Sequence, residues 1–186
     1  MRLVLALGLF SLMGWGPDGP APDLGVVACV IFAVAAASDA LDGHLARKWA
    51  VVSPFGRVMD PFCDKFLILG ALILLVASPL APRSAVEPWM VLAIFGRELL
   101  ITSLRAVAES MGHPFPAESS GKWKMALQCV AIGTAIVAAT RSPASASWTE
   151  AARWLLWAAT AFTLFTLVPY LSRGAKLLLH AKEGAR

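Results

Sequence analysis

Four of the chain's six aspartates fall within 26 residues, in the stretch from Asp39 to Asp64 that also contains Asp42 and Asp60. A helix turns by about 100° per residue, so Asp39 and Asp42 lie on one side of one helix. Asp60 and Asp64 lie within an arc of roughly 80° on the next helix. The turn at 53–54 is short and makes the two helices neighbours. The spacing therefore predicts that four carboxylates converge.

Carboxylates gathered at a membrane boundary repel one another in the low dielectric and need counter-charge. Hard divalent cations bound by carboxylate oxygens supply that charge. Gly43 and Gly56 leave the acidic face without side chains, which lets a bulky ligand approach the backbone. The pattern predicts a divalent-metal site that grips a diphosphate, with Arg47 at its edge. The alternative is an interfacial acidic loop whose charges pair with nearby basic residues, namely Arg47, Lys48, Arg57 and Lys65.

A second group of charged residues lies in and beside the fourth apolar segment. Arg97 and Arg105 are about 80° apart around a helix, so both lean to one side. An arginine at membrane depth needs an anionic partner, and the adjacent Glu98 points about 100° away and is not an obvious sole partner. Lys122 and Lys124 enter the next segment from the same side. These residues predict a basic pocket for a phosphate dianion, unless Arg97 simply pairs with an acid and the lysines only set topology.

The elements that carry these residues are apolar enough to be membrane helices. Of the 186 residues, 58% are hydrophobic and 15% are charged, against about 45–50% and about 25% in soluble domains. This composition excludes a disordered chain, a disulfide scaffold and an ordinary cytosolic domain. We expect an all-α integral membrane protein, a six-transmembrane-helix bundle forming a single domain over residues 1–186. Connections rich in proline and glycine place the spans at about 3–15, 24–46, 60–80, 88–111, 121–140 and 151–171.

Lysine and arginine indicate the orientation of these spans. Twelve of them lie in one set of connections and three in the other, leaving out the mid-span Arg97. Both termini and the connections at 47–57 and 112–124 are therefore predicted to be cytoplasmic. We expect a protein of the cytoplasmic (inner) membrane whose active site faces the cytoplasm. The net charge of +4 then reflects topology and contact with anionic lipid of the bilayer, and no nucleic acid is expected as a partner.

The acidic stretch resembles the signature of the CDP-alcohol phosphatidyltransferase family. It reads Asp39-x2-Asp42-Gly43-x2-Ala46-Arg47-x8-Gly56-x3-Asp60-x3-Asp64, and no fixed position departs from the family pattern. The resemblance includes the six-span arrangement and so covers nearly the whole chain. Family members transfer a substituted phosphate from a CDP-linked donor to an alcohol and release CMP.

The resemblance also implies roles for the signature residues. It implies that two Mg²⁺ or Mn²⁺ ions are bound by the four aspartates, Asp39, Asp42, Asp60 and Asp64. Asp64 is implied to be the general base for the attacking hydroxyl as well. The residues implied to bind the CDP-linked donor are Gly43, Ala46, Arg47 and Gly56. No serine or cysteine paired with a histidine is evident in the sequence, so direct transfer is favoured over a covalent intermediate.

Residues outside the signature resemble the phosphatidylglycerophosphate synthase branch of the family. The segment FGRELLITSLR, followed by SSGKWK, carries the matching basic residues Arg97, Arg105 and Lys122. The match implies CDP-diacylglycerol as donor, glycerol 3-phosphate as the acceptor held by those residues, and phosphatidylglycerophosphate and CMP as products. The family also suggests a homodimer. The branch normally begins with an amphipathic interfacial segment that is missing here apart from Arg2, which leaves open donor entry and whether the natural N-terminus lies upstream of Met1.

Arg2 and the apolar run after it also resemble the start of a signal peptide. Because no A-x-A-like cleavage site follows, a retained first helix is favoured.

Several other functions stay open from the residues alone. The same chemistry could serve another acceptor, such as inositol phosphate, serine or a second lipid. A membrane cation transporter would line its path with aspartates, but these acids cluster at one membrane face. A non-catalytic lipid- or metal-binding scaffold would not require an aspartate at every signature position.

Overall fold

The computed structural model describes most of the backbone, in the ranges 2–14, 22–49, 54–77, 79, 81–112, 120–141 and 145–184. Side chains within these ranges are described except at 22–23, 39–49, 54–58, 60–61, 120 and 176–184.

The described chain is helical throughout and contains no strand, which confirms the predicted all-α class. Its helices are α1 (Arg2–Gly14), α2 (Pro22–Trp49), α3 (Pro54–Ala77), α4 (Ala81–Ser84), α5 (Pro88–Ser110), α6 (Ser120–Thr140), α7 (Ala146–Phe165) and α8 (Leu167–Gly184).

The helix boundaries differ from the predicted spans mainly at prolines and at the last span. Helix α3 begins at Pro54, six residues before the predicted start at 60, because the first turn of a helix tolerates a residue without a backbone N–H. The one-turn helix α4 lies in the connection before α5, where none was predicted. The span predicted at 151–171 begins earlier, at Ala146, and the chain stays helical through α8.

The core is formed by apolar side chains from α1, α2, α3, α5, α6 and α7. Two glycines allow close helix contacts within it. A Cβ added at Gly70 would lie 2.0 Å from the Phe10 ring, and one added at Gly25 would lie 2.1 Å from the Thr140 hydroxyl. Only hydrogen fits at these positions, so α1 packs tightly on α3, and α2 on α6. The α1–α3 contact matters most for function, because α3 carries Asp60 and Asp64.

Large apolar side chains also cover the outside of the fold. Val4 and Trp154 are each 72% exposed, and Leu92 is 68% exposed. Two helical segments of the described chain, 121–140 and 146–175, are long and apolar enough to cross a membrane, and α1 and residues 24–38 are shorter apolar helices. An apolar exterior of this extent is typical of a surface that contacts lipid or a partner. The number of spans and the side on which the termini lie stay predictions.

Candidate active site

A cavity of about 370 Å³ opens between α3, α5, α6 and α8. Its charged lining consists of Asp64, Lys65, Arg97, Glu98, Arg105 and Lys124. Four of these side chains are cations and two are carboxylates, so the lining carries an excess of two positive charges. Such an excess in a partly buried space favours an anionic ligand.

Glu98 is the internal counter-charge of this cluster. Its Oε1 accepts hydrogen bonds from Arg97 Nη1 at 2.9 Å and from Lys124 Nζ at 2.5 Å. The three side chains are only 13%, 5% and 10% exposed, respectively. Sequence reasoning expected that Glu98 would not be the sole partner of Arg97, and the contacts agree. Glu98 is nevertheless a direct partner, because the long arginine side chain spans the angle between adjacent helical positions.

Arg97 is fixed by further contacts from the C-terminal part of the chain. Its Nη2 donates to Thr166 Oγ1 at 3.2 Å, and its guanidinium lies 5.5 Å from the centre of the Tyr170 ring. Thr166 lies between α7 and α8, so Arg97 holds α5 to both of these helices. The arginine is thereby committed to the packing of the protein as well as to the cavity.

Two cations in the cavity are much less engaged. Lys65 Nζ donates a hydrogen bond to Thr102 Oγ1, which connects α3 to α5. Arg105 Nε is buried and has no hydrogen-bond partner among the residues that the structure describes. Arg105 was predicted from its spacing, whereas Lys65 was weighed only as a charge beside the acidic stretch. The sequence feature that could have identified Lys65 as a site residue is its position directly after Asp64.

Asp64 lies at the edge of the cavity and is held from α1. Its carboxylate is 26% exposed and pairs with the guanidinium of Arg2, which is itself buried. The sequence predicted Asp64 as a site residue, but it did not predict this contact across 62 residues. The tight packing of α1 on α3 at Gly70 brings the two side chains together.

The other predicted site residues fall into two groups. Seven of them have side chains outside the described ones and lie on α2 and α3, two helices that contact each other. They are Asp39, Asp42, Gly43, Ala46 and Arg47 on α2, and Gly56 and Asp60 on α3. Among described side chains, no group of three or more metal-binding residues occurs, so the convergence of the aspartates and the metal site stay predictions. The side chain of Lys122 is described; it is exposed on α6 and does not line the cavity. Lys124, two residues further along α6, lines the cavity instead.

The described chain combines helices, an apolar exterior and a cationic cavity beside the last signature aspartate, the features that the sequence predicted for an enzyme of the membrane. The chain belongs to the CDP-alcohol phosphatidyltransferase family, whose profile matches residues 1–165. Helix α8, which supplies Tyr170 to the cavity, lies beyond the matched region.

Three relatives illustrate the names of proteins that are similar to this chain. The chain is 33% identical over 161 residues to a CDP-diacylglycerol–glycerol-3-phosphate 3-phosphatidyltransferase of Bacillus subtilis, covering 87% of this chain and 80% of the relative. It is 34% identical over 158 residues to the Arabidopsis thaliana CDP-diacylglycerol–glycerol-3-phosphate 3-phosphatidyltransferase 2, covering 80% and 67%. It is also 31% identical over 159 residues to a rice cardiolipin synthase (CMP-forming), covering 80% of this chain but 48% of the relative.

Proposed function

We propose that this protein transfers the phosphatidyl group from CDP-diacylglycerol to glycerol 3-phosphate, forming phosphatidylglycerophosphate and CMP. Membership of the CDP-alcohol phosphatidyltransferase family supports the reaction class. Two relatives at 33% and 34% identity are named for this donor and this acceptor.

The observation that carries the choice of acceptor is the charge of the cavity. Its lining has an excess of two cations over carboxylates and includes Asp64. A phosphate monoester carries about −1.5 to −2 charges near neutral pH, which matches that excess. Serine has no phosphate, and phosphatidylglycerol has only a singly charged phosphodiester. The cavity volume of about 370 Å³ lies in the range of small-molecule sites.

The reaction then needs one base and a set of fixed cations. The basic side chains hold the phosphate of the acceptor, which places the primary hydroxyl of glycerol 3-phosphate toward Asp64. Asp64, whose carboxylate forms an ion pair with Arg2, takes the proton of this hydroxyl as the hydroxyl oxygen attacks the phosphorus of the donor. The bond from that phosphorus to CMP breaks in line with the attack. No residue is acylated or phosphorylated on this route.

The donor and the metal ions are assigned to the signature residues on α2 and α3. Mg²⁺ and Mn²⁺ prefer carboxylate ligands, so the signature aspartates suit such ions. We assign the metal ligands as Asp39, Asp42, Asp60 and Asp64, and the donor contacts as Gly43, Ala46, Arg47 and Gly56. When bound, the ions neutralise the diphosphate of the donor.

The topology proposed with this function is a single domain of six spans in the cytoplasmic membrane. Both termini and the aspartate signature face the cytoplasm in this arrangement, because the lysines and arginines are concentrated on that side. Water-soluble glycerol 3-phosphate would then reach the cavity from the cytoplasm, and the donor lipid would enter from the inner leaflet.

An acceptor panel tests the function. Purified protein in mixed micelles is given CDP-diacylglycerol with glycerol 3-phosphate, phosphatidylglycerol, serine or inositol phosphate, with Mg²⁺ or with a chelator. Mass spectrometry of the lipids and assay of CMP are expected to give phosphatidylglycerophosphate and CMP from glycerol 3-phosphate, and only with metal. Cardiolipin formed from phosphatidylglycerol, without product from glycerol 3-phosphate, would support the function in the rice relative's name and overturn the proposal.

A further inference from the structure

We propose that Lys65 and Arg105 together bind the phosphate of the acceptor, and that Lys65 is the residue that selects acceptors carrying a phosphomonoester. The inference rests on the proposed function and refines it. It assigns Lys65 a binding role, and it gives Arg97 and Lys124 a supporting role around Glu98.

The first step concerns the cations that already have a counter-charge. Arg97 and Lys124 both donate to the carboxylate of Glu98, at 2.9 Å and 2.5 Å. All three side chains are largely buried. Moving either cation to a ligand would leave buried Glu98 with a weaker partnership, which opposes the movement. These two cations therefore contribute less to ligand binding than their presence in the cavity suggests.

Lys65 differs because its described partner is a neutral hydroxyl. The Thr102 hydroxyl donates its own proton to the Glu98 backbone carbonyl at 2.7 Å, so it accepts from Lys65. An ammonium has three N–H donors, and this bond uses one of them. Among the side chains that the structure describes, no carboxylate forms an ion pair with Lys65. The ammonium is partly buried, and two donors remain for a ligand.

Arg105 completes the pair from α5, the helix that also carries Thr102. It lines the same cavity, on α5, and forms no ion pair with the side chains described here. Its Nε, like that of Arg97, is buried without a hydrogen-bond partner among the residues that the structure describes, which is costly unless a ligand satisfies it. Lys65 and Arg105 are thus the two cations of the cavity lining that share no carboxylate among the side chains described here. A phosphate dianion bound by both would balance their two charges.

The position of Lys65 also bears on the chemistry. It follows Asp64 directly, and both side chains line the cavity. A phosphate held by Lys65 lies beside the proposed base, so a short polyol phosphate can present its hydroxyl to Asp64 without leaving the site. An acceptor that lacks the phosphate loses both contacts, which gives selectivity against free alcohols.

The test compares the KM values of the two substrates in Lys65→Met, which removes the charge and keeps the apolar stem. The KM for glycerol 3-phosphate is expected to rise on the order of 10- to 100-fold, because a charge-assisted hydrogen bond is lost. The KM for CDP-diacylglycerol should stay within about twofold of wild type. Arg83→Met is the matched control, since Arg83 is exposed on α4 away from the cavity lining. It should change neither KM.

Further variants separate charge from folding. Lys65→Gln is a second neutral variant and should match Lys65→Met, while Lys65→Arg retains the charge and should recover most of the acceptor affinity. In wild type, inorganic phosphate should inhibit in competition with the acceptor, and Lys65→Gln should weaken that inhibition in parallel with the rise in KM.

The outcomes distinguish the two proposals. An acceptor KM within about twofold of wild type in the neutral variants would overturn the role of Lys65, as would equal rises in both KM values. In either case the transferase function would stand. If wild type forms no phosphatidylglycerophosphate from the two substrates, the proposed function itself fails.

Discussion

Replacing Glu98 with glutamine would remove the negative charge that Arg97 and Lys124 share. The three side chains are between 5% and 13% exposed, so water can do little to replace the lost counter-charge. Breaking a buried ion pair in this way costs about 3–5 kcal/mol. For a chain of this length each kcal/mol corresponds to about 2–4 °C in Tm. We therefore expect Glu98→Gln to lower Tm on the order of 10 °C.

The assay is thermal unfolding of the purified protein in detergent, followed by the fluorescence of its seven tryptophans. Glu150→Gln is the matched control, because Glu150 pairs with Arg153 at 3.2 Å but the two side chains are 54% and 49% exposed. An exposed pair contributes about 0–1 kcal/mol after screening, so the control should shift Tm by only a few degrees.

A double variant tests whether the lower Tm of Glu98→Gln comes from buried cations that have lost their counter-charge. Glu98→Gln combined with Lys124→Met removes one of the two cations that have lost their counter-charge. It should recover part of the lost Tm, because contacting residues are energetically coupled. If Glu98→Gln lowers Tm no more than Glu150→Gln does, Glu98 is not the counter-charge of the cluster. The argument that Lys65 and Arg105, and not Arg97 and Lys124, bind the acceptor phosphate would then lose its basis.

Variants at four residues test the proposed chemistry. Asp64→Asn is expected to depress kcat far more than donor affinity, because a base acts in the transition state; steady-state kinetics showing a change confined to donor KM would make Asp64 only a metal ligand. Asp60→Asn should abolish transfer at saturating Mg²⁺ while circular dichroism stays helical, and near-normal turnover would reject its role as a ligand. Arg105→Ala should raise the acceptor KM on the order of 10- to 100-fold. Arg105→Lys should restore only part of the acceptor affinity, since an ammonium lacks the planar fork of a guanidinium. Small, equal changes in the acceptor KM and the donor KM would argue against acceptor binding by Arg105. Arg2→Met should lower kcat on the order of tenfold, because the Asp64 carboxylate loses the partner that positions it. An unchanged kcat would limit Arg2 to a structural role.

Local sequence patterns predicted the helices well where long apolar runs end at proline or glycine. The span predicted at 88–111 corresponds to α5 (Pro88–Ser110), and the one at 121–140 corresponds to α6 (Ser120–Thr140). Helical periodicity also placed Arg97 and Arg105 on one side of α5, and both line the cavity. These features depend on spacing along one helix, which the sequence displays directly.

Contacts between distant helices were not predictable in the same way. The pair formed by Arg2 and Asp64 depends on how α1 packs against α3. Lys122 and Lys124 are about 200° apart on α6, so one must face away from whatever the other faces. Which lysine enters the cavity depends on how α6 is rotated against the helices that it contacts, and the structure places Lys124 there. Spacing alone carries no information about that rotation.

The central claim is that this protein transfers a phosphatidyl group to a phosphate-bearing acceptor. A competition experiment tests it most directly: CDP-diacylglycerol is supplied with equal concentrations of isotope-labelled glycerol 3-phosphate and phosphatidylglycerol, and the labelled and unlabelled lipid products are resolved by mass. The account predicts that phosphatidylglycerophosphate carries nearly all of the transferred phosphatidyl groups, with one CMP released for each. Cardiolipin as the main product, or CMP release without labelled phosphatidylglycerophosphate, would contradict it.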